Sequence, residues 1–163
     1  MRNTTLCHIE RDGKYLMLHR VKKENDLNRD KWIGIGGKFE DKESPEQCNS
    51  REVFEETGLT LTSYRFRALI TFVSDKQEPE MMCLFTADAF TGKLITCDEG
   101  ELVWVDKREV PKLPTWEGDA IFLERLLADE VNITLRQSRL SGVARATFPD
   151  KQSHLVINYC IMF

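Results

Sequence analysis

The chain has 163 residues, 41% hydrophobic and 31% charged, and its 23 Lys+Arg against 27 Asp+Glu leave a net charge of −4. This is the profile of a globular protein with enough chain for a real core, and a single domain over residues 1–163 is expected. The acidic balance argues against a nucleic-acid polymer or an anionic membrane as partner, while a small anionic substrate stays open if cations are gathered locally.

The five cysteines, Cys7, Cys48, Cys83, Cys97 and Cys160, are odd in number, widely spaced and never C-x-x-C. They predict neither a disulfide framework nor a four-thiolate zinc site and suit a reducing cytoplasm, the expected location. The opening stretch MRNTTLCHIERDGKYLMLHR has no apolar block of the signal-peptide kind. No run approaches the ~20 apolar residues of a membrane span.

Thr4–Ile9 and Tyr15–Arg20 are β-prone runs on either side of Arg11-Asp12-Gly13, a turn signal, and read as a hairpin. Val21–Lys31 is polar and charged and reads as a surface loop. Ser44 to Gly58 carries helix punctuation. Ser44 serves as N-cap, Pro45 suits the first helical position, Gln47 completes a capping box and Gly58 turns left-handed at the end. Tyr64–Val73 and Met81–Phe90 follow as strands joined by the polar Ser74–Glu80, with Leu102–Val105 a further short strand. A second helix is expected from Trp116 to Ala128 behind Thr115 as cap, with Trp116, Ala120, Leu123 and Leu127 as its apolar stripe. Val131–Phe163 suggests more strands around a turn at Phe148-Pro149-Asp150-Lys151. The closing HLVINYCIMF, broken by Asn158, reads as a buried or edge strand or a dimer contact, so monomer and homodimer both stay open. Strands outnumber helices and the helices lie among them. The expected class is α/β (α+β), a mixed β-sheet with flanking helices.

Glu52, Glu55 and Glu56 are related by i,i+3 and i,i+4 spacings and share about a third of the helix circumference. Like charges so placed repel by a few tenths of a kcal/mol per pair. Arg51, four residues before Glu55, offsets part of this and cannot neutralise the cluster. A solvated acidic face is the plain reading, but Gly36-Gly37-Lys38 lies just upstream, where flexible backbone and an ammonium can meet phosphate oxygens. Oxygen ligands suit Mg²⁺ or Mn²⁺, so a cation-binding helix beside a phosphate-friendly loop is a coherent site for metal-assisted phosphoryl chemistry.

The stretch resembles the signature of the Nudix hydrolase superfamily, G-x5-E-x7-R-E-U-x-E-E-x-G-U, where U is a bulky aliphatic residue. Its fixed positions correspond to Gly37, Glu43, Arg51, Glu52, Val53, Glu55, Glu56, Gly58 and Leu59. The resemblance implies an α/β/α sandwich and Mg²⁺-dependent hydrolysis of nucleoside diphosphates linked to another group, with Mn²⁺ as a substitute. It makes Glu52, Glu55 and Glu56 metal-binding carboxylates, with the Gly37 carbonyl as a further ligand. Either Glu52 or a carboxylate outside the helix, Glu99, would take the proton of an attacking water. Arg51 and Glu43 would be structural partners within the motif, as would Gly58. Lys38, Arg20 and Lys23 are candidates for phosphate contacts.

Beyond the signature, LMLHR…NRDKWIGIGGK, EPEMMCLF, CDEGELVWV and LPTWEGDAIFLERLL resemble the MutT-type branch, whose members cleanse nucleotide pools of oxidised purine triphosphates such as 8-oxo-dGTP. That likeness implies Trp116 stacking on the base and Asp119 hydrogen-bonding its edge, with Thr5, Phe72 and Met82 lining the pocket; core packing is the competing reading for Trp116, Phe72 and Met82. Two departures stand out: Ile33 where the animal enzymes carry asparagine, and Gly118-Asp119 where they carry two aspartates. A nucleotide sugar, ADP-ribose or another triphosphate, and a Nudix module that senses nucleotide without cleaving it, are the alternatives.

Overall fold

The computed structural model describes residues 1–22, 28–74, 78–128, 135–137, 145–146 and 156–161, with side chains placed as far as Ala128 except at 73, 74 and 117. The opening hairpin pairs β1 (Arg2–Arg11) with β2 (Lys14–His19), antiparallel, with Arg11 opposite Lys14. Asp12 and Gly13 both take positive φ, 51° and 74°, as a two-residue hairpin turn with matching twist requires. A short strand β3 (Trp32–Ile33) pairs with Leu18 and His19, and the chain then bridges Cys7 through Ile35 and Thr4 through Lys38. Residues 32–38 therefore run along β1 where β2 has left it, which sets Gly36 and Gly37 beside Thr5.

Helix α1 (Pro45–Thr57) begins as its sequence dictates. The Ser44 hydroxyl accepts from Gln47 N–H at 3.2 Å, and the Gln47 side chain accepts from Ser44 N–H at 2.9 Å. Gly58 ends the helix at φ 74°, and a Cβ there would come within 2.7 Å of the Lys93 carbonyl, so backbone and space both select glycine. Strand β4 (Leu59–Ser74) starts at once, five residues earlier than the expected Tyr64, and pairs with β5 (Glu80–Gly92) through three register irregularities. Strand β6 (Glu101–Asp106), a 3₁₀ turn at Val110–Lys112 and α2 (Glu117–Leu127) follow.

Among the described residues all strands join one mixed sheet, ordered β3-β2-β1-β5-β4-β9-β7-β8, with β6 on the other edge of β2. Here β7 is Leu135–Gln137, β8 Arg145–Ala146 and β9 Val156–Ile161. Strand β9 lies between β4 and β7, parallel to both, so HLVINYCIMF supplies an internal strand and not an edge. The turn expected at 148–151 lies outside the described residues.

Period-two alternation divides the core between the two faces of the sheet. Cys7, Ile9, Leu16, Leu18, Phe85 and Ala87 pack on one face with Val53 of α1. Tyr15, Met17, Ala68, Ile70, Met82 and Leu84 pack on the other with Phe122, Leu123 and Leu126 of α2. One helix thus covers each face, the α/β/α sandwich expected. The start of α2 corrects the sequence reading. Trp116, with extended backbone, is the N-cap in place of Thr115, and no side-chain oxygen caps the helix. Asp119 instead reaches back to the Trp116 N–H from the N3 position. Because Trp116 precedes the helical turns, the apolar stripe is rotated from the expected one: Ala120 is exposed, while Asp119, Phe122, Leu123 and Leu126 are buried.

Candidate active site

α1 lays Cys48, Asn49, Val53 and Thr57 on the sheet, and this sets the angle of every carboxylate around them. Glu52 and Glu56 come out on the flank facing the Gly36–Gly37 loop, and Glu55 points to solvent, 56% exposed. A Cβ on Gly37 would lie 2.4 Å from the Glu52 carboxylate, so only glycine lets that carboxylate cross the loop. Gly36 N–H reaches Glu56 Oε2 at 3.3 Å. The Gly37 carbonyl accepts from Thr5 N–H at 2.9 Å, which fixes its direction, and more weakly from the Cys48 thiol at 3.8 Å.

Arg51 is the hub of the cluster. Its Nε and Nη2 donate to Glu43 at 2.8 and 2.9 Å, its Nη1 to Glu52 at 2.8 Å and Glu55 at 3.1 Å, and Nη2 also to the Lys38 carbonyl at 2.9 Å. The guanidinium holds Glu43 down to a pKa of about 2, helped by the Glu40 N–H. Glu52 is pushed the other way, chiefly by burial, with Glu55 and Glu43 adding to it against the pull of Arg51. Glu56 is also raised, first by burial and then by the charges of Glu99 and Glu52. Glu99 therefore stands at the same carboxylate group, brought there by the loop before β6 and ion-paired with Arg20 from the end of β2.

The donors that face the loop are all oxygens and carry more negative charge than Arg51 and Arg20 balance, so they fit a hard divalent cation. Among the described residues no three acidic side chains already converge on one point, because Arg51 draws Glu52 and Glu55 toward Glu43. Lys38 is exposed at the mouth of the loop, its charge felt by Glu78. Lys23 lies outside the described residues.

On the opposite face, at the same end of β1, lies a second group. Phe72 and Met82 project toward α2, and Asp119, in the first turn of α2, is 9% exposed within reach of Lys31 and Glu80. Burial raises the Asp119 pKa to about 7, against the pull of the Trp116 N–H and Lys31. The Trp116 indole N–H donates to Asn28 Oδ1 at 2.8 Å, and the Lys31 ammonium sits 5.2 Å over its ring while donating to the Thr115 carbonyl at 3.1 Å. Asn28 and Lys31 carry no sequence signal of this role, because an irregular polar loop has no period that tells which side chains fold inward. Thr5 does not join this group. Its hydroxyl faces Cys48 under α1 at 3.4 Å, and its neighbour Thr4 holds the α2-side position, bonded to Glu80 at 2.7 Å. In an extended strand a one-residue difference exchanges the faces. Ile33 packs in the α1-side core.

The NUDIX domain profile matches residues 1–126. The chain belongs to the Nudix family. This Nudix hydrolase is of the MutT type and is 30% identical over 125 residues to the oxidized purine nucleoside triphosphate hydrolase of Danio rerio, covering 76% of the chain and 78% of that protein. It is also 30% identical over 120 residues to the CTP pyrophosphohydrolase of Escherichia coli, covering 74% of the chain and 87% of that protein. The crystal structure of the MutT protein from Bacillus halodurans superimposes with a TM-score of 0.74 at 25% identity, covering 90% of this chain and 97% of that one. Nudix hydrolases act on small nucleotides and generally need a divalent metal. No helix among the described residues of this Nudix chain is long and apolar enough to cross a membrane.

Proposed function

We propose that the protein is a cytoplasmic, Mg²⁺-dependent nucleoside triphosphate diphosphatase, with Mn²⁺ as a substitute, acting as a monomer or homodimer. Its substrate is an oxidised purine nucleotide such as 8-oxo-dGTP, cleaved to the monophosphate and pyrophosphate. Held by Glu52, Glu55, Glu56 and the Gly37 carbonyl, a divalent cation supplies charge neutralisation of the diphosphate and lowers the pKa of the attacking water. Glu52 or Glu99 accepts the water's proton. Arg51, itself locked by Glu43, keeps Glu52 and Glu55 oriented, while Lys38 and Arg20 take phosphate oxygens. Trp116 stacks on the base and Phe72 and Met82 exclude water around it.

Asp119 carries the substrate reading. Burial raises its pKa to about 7, with the Trp116 N–H, Lys31 and Glu80 acting on it, which makes the protonated carboxyl accessible as a donor near neutral pH. It can therefore donate to or accept from a base edge whose donor and acceptor pattern has been changed by oxidation. The Escherichia coli relative and the departures at Ile33 and Gly118 favour a second reading, a pyrimidine triphosphate in the same pocket. The test is Mg²⁺-dependent turnover of 8-oxo-dGTP against dGTP, dATP, CTP, ADP-ribose and a nucleotide sugar, with every product identified. Preference for the oxidised triphosphate with release of pyrophosphate is expected. Preference for CTP selects the second reading, and a sugar phosphate as product overturns both.

A further inference from the structure

Trp116 precedes the first turn of α2, with φ −73° and ψ 147°, so the helix itself does not fix its indole. The loop after β2 does. Lys31 N–H donates to the Asn28 carbonyl at 2.9 Å and closes a turn over residues 28–31. Asp30, the third residue of that turn, takes φ 60°, in the left-handed region that Asp tolerates better than most side chains. The turn hangs on the end of β2, because Arg20 N–H donates to the Lys31 carbonyl at 3.0 Å and the Arg20 carbonyl accepts from Asp30 N–H at 2.8 Å. Its two ends, Asn28 and Lys31, therefore stand close together on a frame fixed by the sheet.

Both ends reach the same ring, in complementary ways. The Asn28 amide oxygen takes the indole N–H at 2.8 Å, at the edge of the ring. The Lys31 ammonium lies 5.2 Å from the ring centroid, over one face, and donates from there to the Thr115 carbonyl at 3.1 Å. Trp32 N–H, donating to the Pro114 carbonyl at 3.0 Å, ties the two segments together beside these contacts. One contact at the edge and one on the face take away the rotamer freedom that a tryptophan outside a helix otherwise keeps. Resting on the reading of Trp116 as the platform for the base, we propose that Asn28 and Lys31 are positioning residues that clamp Trp116 before the nucleotide arrives, and so set base affinity and base preference. A base stacks on the ring face that Lys31 does not cover, and the ordering of the indole is already complete when it does so. The clamp acts through the base alone, since α1 and its carboxylates lie on the other face of the sheet.

The test is steady-state kinetics on the intact protein with the best nucleotide of the panel above, beside inhibition of the same reaction by inorganic triphosphate, which has no base. Asn28→Leu and Lys31→Met should each raise KM by roughly 3–10-fold, the worth of one hydrogen bond or one cation–π contact, with kcat changed much less. Both should narrow the preference among bases and leave the inhibition constant of inorganic triphosphate where it is. Asn28→Asp keeps an acceptor for the indole N–H and Lys31→Arg keeps a cation over the ring, so each should recover most of the loss. In a Trp116→Ala background, Asn28→Leu and Lys31→Met should add less than about twofold, because the ring they act on is gone. Effects that persist in full in that background make Asn28 and Lys31 direct substrate contacts and overturn the clamp. An equal weakening of inorganic triphosphate makes the turn a general support of the fold and overturns it as well. Trp116→Ala at the wild-type KM would overturn the reading of Trp116 as the base platform, an outcome distinct from both.

Discussion

The two faces of the sheet hold candidate functional groups at one end of β1, and they are assembled in opposite ways. Beneath α1 the polar groups come mainly from one continuous stretch, Gly36 to Glu56, and are tied together by Arg51. Beneath α2 the corresponding group draws Asn28 and Lys31 from a loop, Phe72 and Met82 from neighbouring strands, and Trp116 and Asp119 from a helix start. The first is a charged device whose parts must keep fixed spacings. The second is a mostly apolar cluster in which burial, with the charge of Glu80 adding to it, raises the pKa of Asp119. A family can keep the first and vary the second, which accords with relatives named for different triphosphates.

If that division is right, damage on the α1 side should lower turnover of every substrate alike, and damage on the α2 side should redistribute it. Glu52→Gln has the largest expected effect, a loss of roughly 10²–10⁴-fold in kcat, the usual worth of a general acid or base. The melting temperature should stay close to wild type, and a folded variant at the wild-type rate would remove Glu52 from the chemistry. Gly37→Ala should cost roughly 10²-fold, because its methyl group displaces the Glu52 carboxylate by about an ångström. Steady-state kinetics on two unrelated nucleotides would show equal losses.

Asp119→Asn should leave the poorer substrates within a fewfold of wild type while lowering preference for the best one by about tenfold, the worth of one hydrogen bond to a charged group. Uniform loss across the substrates would erase the division between the faces. The same variant sharpens the electrostatics. The folded protein holds the Asp119 proton up to about pH 7, whereas the unfolded chain releases it near pH ~4. Wild-type stability should therefore fall relative to Asp119→Asn as pH rises between those values and level off above them. Thermal melts at half-unit pH steps would reveal the slope; a difference independent of pH would contradict it.

The smallest effect is expected at Asn49, fully buried under α1 with no well-formed hydrogen bond at either amide atom and only a weak interaction with the Cys7 thiol. Replacing it with leucine should stabilise the protein by about 1 kcal/mol, since an unsatisfied buried amide costs about 1–3 kcal/mol and overpacking takes some of that back. A lower midpoint in urea would mean that the amide is satisfied after all.

Legibility in the sequence follows the same division. The capping box of α1, the left-handed Gly58 and the hairpin turn at Asp12-Gly13 are local devices, and each lies where the spacing predicts. The closeness of Glu99 to Glu56 had only the resemblance behind it, since about forty residues and two long strands separate them in the chain. The α2 stripe was turned because Trp116 looks like the first core residue of a helix and is instead its extended cap. Thr5, which the resemblance places in the base pocket, lies under α1, and its neighbour Thr4 takes the α2 side, because a likeness of residues does not carry strand facing.

What the sequence by itself determined is therefore what chain connectivity carries. It contained the helix, its caps, the carboxylates at three- and four-residue spacings and the glycines needed where backbone bends or closes on a neighbour. Only the tertiary structure decided which face each strand residue takes, that Arg51 also reaches Glu52 and the Lys38 carbonyl, that Arg20 meets Glu99, and that Asp119 is buried. Strand register, crossovers and desolvation are properties of segments brought together from afar, and no local spacing encodes them.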